Sequence, residues 1–149
     1  FVPRASVVAH MYGPRTLFTF QGGAQGPWAV DRMVTLRGEA LAAVERITIR
    51  AGEGAAEAAA GSVWQLRGTT GHLRYTTKAE ASALATRQSG LGRPEARCAA
   101  LIPIRKSEAW WALAQDERRQ IYEEKSRHTS IGMEYLPQIA RRLHHSRDL

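Results

Sequence analysis

The order in which hydrophobic periodicities follow one another along the chain constrains its fold more than any other feature. Arg46 to Arg50, Arg-Ile-Thr-Ile-Arg, alternates polar with apolar side chains and reads as a strand with one buried face. Leu17-Phe18-Thr19-Phe20 is rich in β-forming residues, and Gln21-Gly22-Gly23 is read as closing it. Trp64-Gln65-Leu66-Arg67-Gly68 and His72 to Thr77 read as further strand pieces separated by a turn, and Lys78 to Ser89 as a helix stopped by Gly90. Val34 to Ala43 fits strand or helix, while Ala51 to Gly61, nearly all Ala, Gly and Glu, reads as a surface linker.

After one more strand the chain turns helical. Cys98 to Ile104 is a nearly continuous apolar run, consistent with a buried strand in which Pro103 requires an edge or a bulge. Ser107 ahead of Glu108, Trp110 and Trp111 suggests an N-cap, and Asp116 is read as capping a helix that runs through Ile121-Tyr122 towards His128. Gly132 and Pro137 interrupt that pattern, and Ile139 to Leu143 reads as a last helical segment. Strands first and helices gathered behind them imply an α+β arrangement.

Size and charge bound the partners rather than the fold. The 149 residues suit one domain or two small fused subdomains, and Lys plus Arg exceed Asp plus Glu by 21 to 14, which favours anionic ligands or surfaces. The basic run Arg141 to Arg147 has no aromatic platform and no helix-turn-helix, RRM or zinc-finger signature, so no nucleic-acid partner is expected. No apolar stretch approaches the roughly 18 residues of a membrane span, so no membrane partner is expected and the chain reads as cytoplasmic, or periplasmic if a signal peptide was removed. Cys98 is the single cysteine, which excludes an internal disulfide, and its apolar neighbours suggest an inert buried thiol. Residues 1–10 read as a protease-site and cloning remnant, with Met11 as the native start.

On chemistry alone the five histidines say little. His10, His72, His144 and His145 lack the companions of a zinc site, and a lone histidine such as His128 on a charged helix is more often solvated than ligating. The continuous stretch from Ala99 to Leu149 changes this. Ala-Ala-Leu-Ile-Pro-Ile-Arg-Lys-Ser-Glu-Ala-Trp-Trp, then Asp-Glu-Arg-Arg, Ser-Arg-His-Thr, and Tyr-Leu-Pro-Gln-Ile-Ala-Arg-Arg-Leu-His-His-Ser-Arg-Asp-Leu resembles the chlorite dismutase family, as do Trp64-Gln-Leu-Arg-Gly, Arg74-Tyr75-Thr-Thr-Lys-Ala-Glu and Gly90-Leu-Gly-Arg-Pro-Glu-Ala.

The resemblance implies a ferredoxin-like fold (a dimeric α+β barrel) in the family's short-chain, dimeric branch. Residues 11–97 would form a shortened N-terminal ferredoxin-like part and residues 98–149 the first part of the haem-binding C-terminal domain. Family members continue with further strands and a helix, including an acidic partner of the proximal histidine, and these are expected to be missing here. The implied cofactor is haem b, with His128 as proximal iron ligand, Arg141 as the distal catalytic arginine, and Lys106 and Trp110 on the proximal side. Tyr75 would contact a propionate and Leu143 would line the distal pocket; Trp111 would pack between elements or subunits.

The implied reaction converts chlorite, a small anionic substrate, to chloride and dioxygen. Arg141 would retain the anion because a guanidinium stays protonated at any working pH. The alternatives are a coproheme decarboxylase and a haem-binding protein without turnover. Decarboxylating members carry a tyrosine just before the proline of the strand, where this chain has Ile102.

Overall fold

A central strand with one apolar and one polar face organises the first half of the chain. The computed structural model describes residues 15–53, 57–71 and 73–146, so the readings of residues 1–10, Met11 and His72 lie outside the described residues. The described residues divide into two units, a sheet unit of 15–53 and 57–71 with 143–146 and a helical unit of 73–142.

In the sheet unit, β1 (Leu17–Gly23), β2 (Trp28–Ala29), β3 (Arg46–Ala51) and β4 (Ser62–Thr69) form one antiparallel sheet in the order β2-β3-β1-β4. The register sets Phe20 between Ile49 and Leu66, and Gly22 between Ile47 and Trp64, so these side chains share one face. Thr19 and Gln21 occupy the other face and are buried there, with the Gln21 amide donating to the Glu57 carbonyl at 2.8 Å. On the apolar face the His144 ring meets Phe18 and Phe20 edge-on, at 4.9 and 5.0 Å between centroids.

Gly22 and Gly23 do not close β1, as the sequence suggested, but continue it, with a bulge between them in the β4 ladder. The reason is the strand opposite: a Cβ at Gly22 would lie 2.2 Å from the Trp64 indole, so glycine makes room for that ring. Trp64 then donates its indole N–H to the Ala42 carbonyl at 3.0 Å. The ambiguous stretch 34–43 is neither strand nor helix, and Val34 and Leu36 are exposed.

In the helical unit, α1 (Lys78–Arg87), α2 (Glu108–Ala112), α3 (Gln115–Arg119) and α4 (His128–Glu134) are joined by short connections, with a π-helical turn, Gln120–Lys125, following α3 directly. Five sequence expectations are corrected here. Residues 73–77 form a turn and not a strand, with Arg74 in the left-handed region at φ 44°. Residues 97–105 are exposed and irregular, Cys98 included, because a strand exists only through a ladder and no described residue pairs with them.

The α3 helix starts two residues earlier than an Asp116 cap would allow, since the Ala114 amide donates to the Glu117 carboxylate at 2.7 Å. Helix does not run on to His128 either, for Arg127 takes up φ 52° and His128 opens a new helix that passes through Gly132 without a break. Finally, 139–143 is not helical. The Arg141 carbonyl accepts from the Gln88 amide at 3.0 Å, and within the sheet unit Thr69 and His145 exchange backbone hydrogen bonds of 2.8 and 2.9 Å, which demands extended chain.

Candidate functional site

Two capped helices and one clamped turn bring aromatic side chains together in the helical unit. Thr77 and Glu80 form a reciprocal capping box that starts α1. Glu80 also receives the Arg119 guanidinium, Nη1 at 2.7 Å and Nη2 at 2.5 Å, while Arg119 Nη1 donates to the Tyr75 carbonyl. Gln115 donates to the Arg74 carbonyl at 3.4 Å. These bonds hold the turn that carries Tyr75.

On α2 the Ser107 hydroxyl accepts from the Trp110 amide at 3.2 Å, the expected N-cap, which sets Trp110 on the first turn. The Trp110 indole N–H then donates to the Tyr75 hydroxyl at 3.3 Å, with the rings edge to face at 5.7 Å. Lys106 places its ammonium 4.5 Å from the Trp110 ring centroid, a cation–π contact. From Tyr75 the array continues to Tyr122 at 5.4 Å and from Tyr122 to His128 at 4.5 Å. Four residues expected from sequence, Lys106, Trp110, Tyr75 and His128, thus lie along one run of contacts. Tyr122, which the sequence reading passed over, joins them.

Arg141 reaches the same helix from its far end. The chain reverses after α4, held by Arg93 donating to the Pro137 and Gln138 carbonyls at 3.0 and 2.9 Å. The Arg141 guanidinium lies against Gly132, where a Cβ would come within 2.2 Å of Nη1. Gly132 is four residues from His128 and so on the same side of α4. Leu143 belongs to the sheet unit, where it is exposed. Trp111 is half-buried under Arg118, whose guanidinium sits 5.5 Å from its ring centroid.

Electrostatics favour a neutral imidazole. Burial, then Arg141 and Lys106, push the His128 pKa below its ordinary value, against an opposing pull from Glu123. Burial pushes the Tyr122 phenol up, so it keeps its proton. Burial at His128 is partial and leaves the residue largely exposed, and a neutral ring has a nitrogen lone pair to offer a metal. This donor set, one imidazole amid aromatic faces with two cations beside it, suits haem, which takes histidine on iron, apolar contact on its macrocycle and positive charge near its propionates. A cavity of about 490 Å³ lies alongside, lined by Arg74, Thr77, Gln115, Asp116 and Arg119, with Tyr75 the member of the array that reaches it.

The chlorite dismutase family profile matches residues 25–149. The chain belongs to the chlorite dismutase family. No curated protein matches the chain. A solved relative, the crystal structure of dimeric chlorite dismutases from Nitrobacter winogradskyi, is 46% identical, with a TM-score of 0.77 over 88% of this chain and 72% of that one. An α+β chain with a four-stranded antiparallel sheet agrees with membership of the chlorite dismutase family. No helix among the described residues is long and apolar enough to cross a membrane.

Proposed function

We propose that this chain binds haem b through His128 and converts chlorite to chloride and dioxygen as a homodimer. The observation that carries the reading is the run of contacts from Lys106 through Trp110, Tyr75 and Tyr122 to an imidazole whose pKa partial burial, Arg141 and Lys106 hold below its ordinary value. Family membership and the dimeric relative support the reaction and the assembly. The fold reading that goes with it has residues 11–97 and 98–149 contributing to two ferredoxin-like halves.

Haem bound at this site would supply a redox-active iron able to take up an anionic substrate. His128 would hold it through a ring nitrogen, and Lys106 would brace Trp110 beside it through the cation–π contact. Trp110 would pack on the macrocycle and Tyr75 would meet a propionate. Arg141 would hold the chlorite anion by charge and hydrogen bonding, a role that needs no proton transfer. Ile102, whose aliphatic side chain cannot form a phenoxyl radical, weighs against coproheme decarboxylation.

The test is haem titration followed in the Soret region, with wild-type protein and His128→Ala. A sharp stoichiometric band in the wild type, lost in His128→Ala while far-ultraviolet circular dichroism is retained, is the expected result. An unchanged band in the variant defeats the ligand assignment. With the loaded wild type, an oxygen electrode should register oxygen from chlorite, and porphyrin chromatography should show no decarboxylated product. Decarboxylation without oxygen release overturns the reaction.

A further inference from the structure

The helix that begins with His128 lacks the residue that ordinarily starts a helix. Arg127 stands at its N-cap, in the left-handed region at φ 52°, and makes no capping bond with its side chain. The first-turn amides of α4 would then be orphaned. Glu123 satisfies them from outside the helix. Its carboxylate accepts from the Thr129 amide at 2.7 Å and the Ser130 amide at 3.2 Å, and the Ser130 hydroxyl donates to it as well. Glu123 is only 8% exposed, so these are charge-assisted bonds shielded from water.

The placement of Glu123 follows from the turn that carries it. Residues Gln120–Lys125 wind as a π-helix, and such wide turns re-aim the side chains on them. Here consecutive residues take complementary tasks: the Tyr122 ring lies against the His128 imidazole, 4.5 Å between centroids, and Glu123 grips the backbone of the next two residues. A negative charge at a helix N-terminus also agrees with the helix dipole.

We infer that Glu123 is a positioning residue for His128: by capping α4 from the π-turn it fixes where the first residue of that helix, and hence its imidazole, points. This rests on His128 being the iron ligand, and its test separates the two. Glu123→Gln keeps the size of the side chain but removes the charge and sets an N–H where an acceptor is needed. Glu117→Gln, which weakens the cap of α3, serves as the control for loss of a helix cap in general.

Two readouts are used: amide hydrogen exchange at Thr129 and Ser130 in the chain without haem, and the ferrous iron–histidine stretching band of the haem-loaded protein by resonance Raman. In Glu123→Gln the two amides should exchange roughly tenfold faster, the scale of a lost charge-assisted cap bond. The stretching band should shift and broaden although haem stoichiometry is kept, and Glu117→Gln should change neither. A band identical to wild type, or moved equally by Glu117→Gln, overturns the inference even if exchange accelerates. Should Glu123→Gln fail to fold, Glu123→Asp, which keeps the charge but shortens the reach, is judged by the same outcomes. An iron–histidine band that survives in His128→Ala instead overturns the ligand reading, whatever Glu123 does.

Discussion

The two units are held together by different means. In the sheet unit, β1 sits between two neighbours and its order comes from backbone ladders, with Phe20 buried beneath them. In the helical unit the buried apolar residues among those described are Ala81 and Leu136 alone, and distant segments are joined by arginine and glutamine side chains that donate to backbone carbonyls. A ladder is built from groups that every residue has. A clamp depends on one side chain, so single polar substitutions should matter in the helical unit where apolar ones matter in the sheet.

The sharpest way to break this contrast is Phe20→Ala. Truncating a buried phenylalanine commonly costs about 3–5 kcal/mol, so the urea midpoint should fall steeply, with far-ultraviolet circular dichroism reporting the loss. A midpoint shift no larger than that of a surface substitution would show that the ladders suffice without the apolar face. Arg118→Ala comes next. It removes donors to the Leu113 carbonyl at 3.0 and 2.6 Å and to the Trp111 carbonyl at 3.3 Å, and should cost about 2 kcal/mol, on the scale of hydrogen bonds from a charged group. If denaturation curves of Arg118→Ala and wild type coincide, side-chain donors to the α2–α3 connection do not help to hold the helical unit.

The smallest effect is expected at the Glu80–Arg119 pair, whose side chains remain 21% and 24% exposed. The hydrogen-bonded Arg119 guanidinium holds the Glu80 carboxyl below its ordinary value of 4.5. A carboxyl whose pKa is lower when folded stabilises the fold fully above its unfolded value, and that contribution fades as the pH falls through the folded one. Arg119→Gln should therefore cost about 1 kcal/mol near neutrality, a difference that shrinks as pH drops below about 4.5. Thermal melts of both proteins across that range check it, and a gap that widens in acid would contradict the sign.

The same contrast explains what could be read beforehand. Period-2 alternation announced β3, although the face it was expected to bury is only half-covered: Ile47 is half-buried and Ile49 is exposed. The run 97–105 carries the mark of a buried strand too, yet a strand needs a partner and local sequence does not supply one. The start of α4 was illegible for a related reason: its cap is Glu123, on another turn, and nothing at Arg127 announces a helix. Lys106, Trp110, Tyr75, His128 and Arg141 were singled out through resemblance to family motifs and not by their own chemistry. Tyr122 and Glu123 had no such motif behind them, and only the π-turn brings them to His128.

Segment 97–105, which pairs with no described residue, has a colloidal consequence. Ile102 and Ile104 are 70% and 69% exposed on a stretch with strand-like composition, and Arg97, Arg105 and Lys106 flank them. Like charges at the ends of a sticky segment act as gatekeepers, keeping two copies apart before their apolar centres can meet. Salt weakens that repulsion as the screening length falls from about 10 Å at 0.1 M to about 3 Å at 1 M, while leaving the apolar attraction in place. Ionic strength therefore governs how strongly this stretch resists self-association, and dilute salt is the medium in which its flanking cations protect it best.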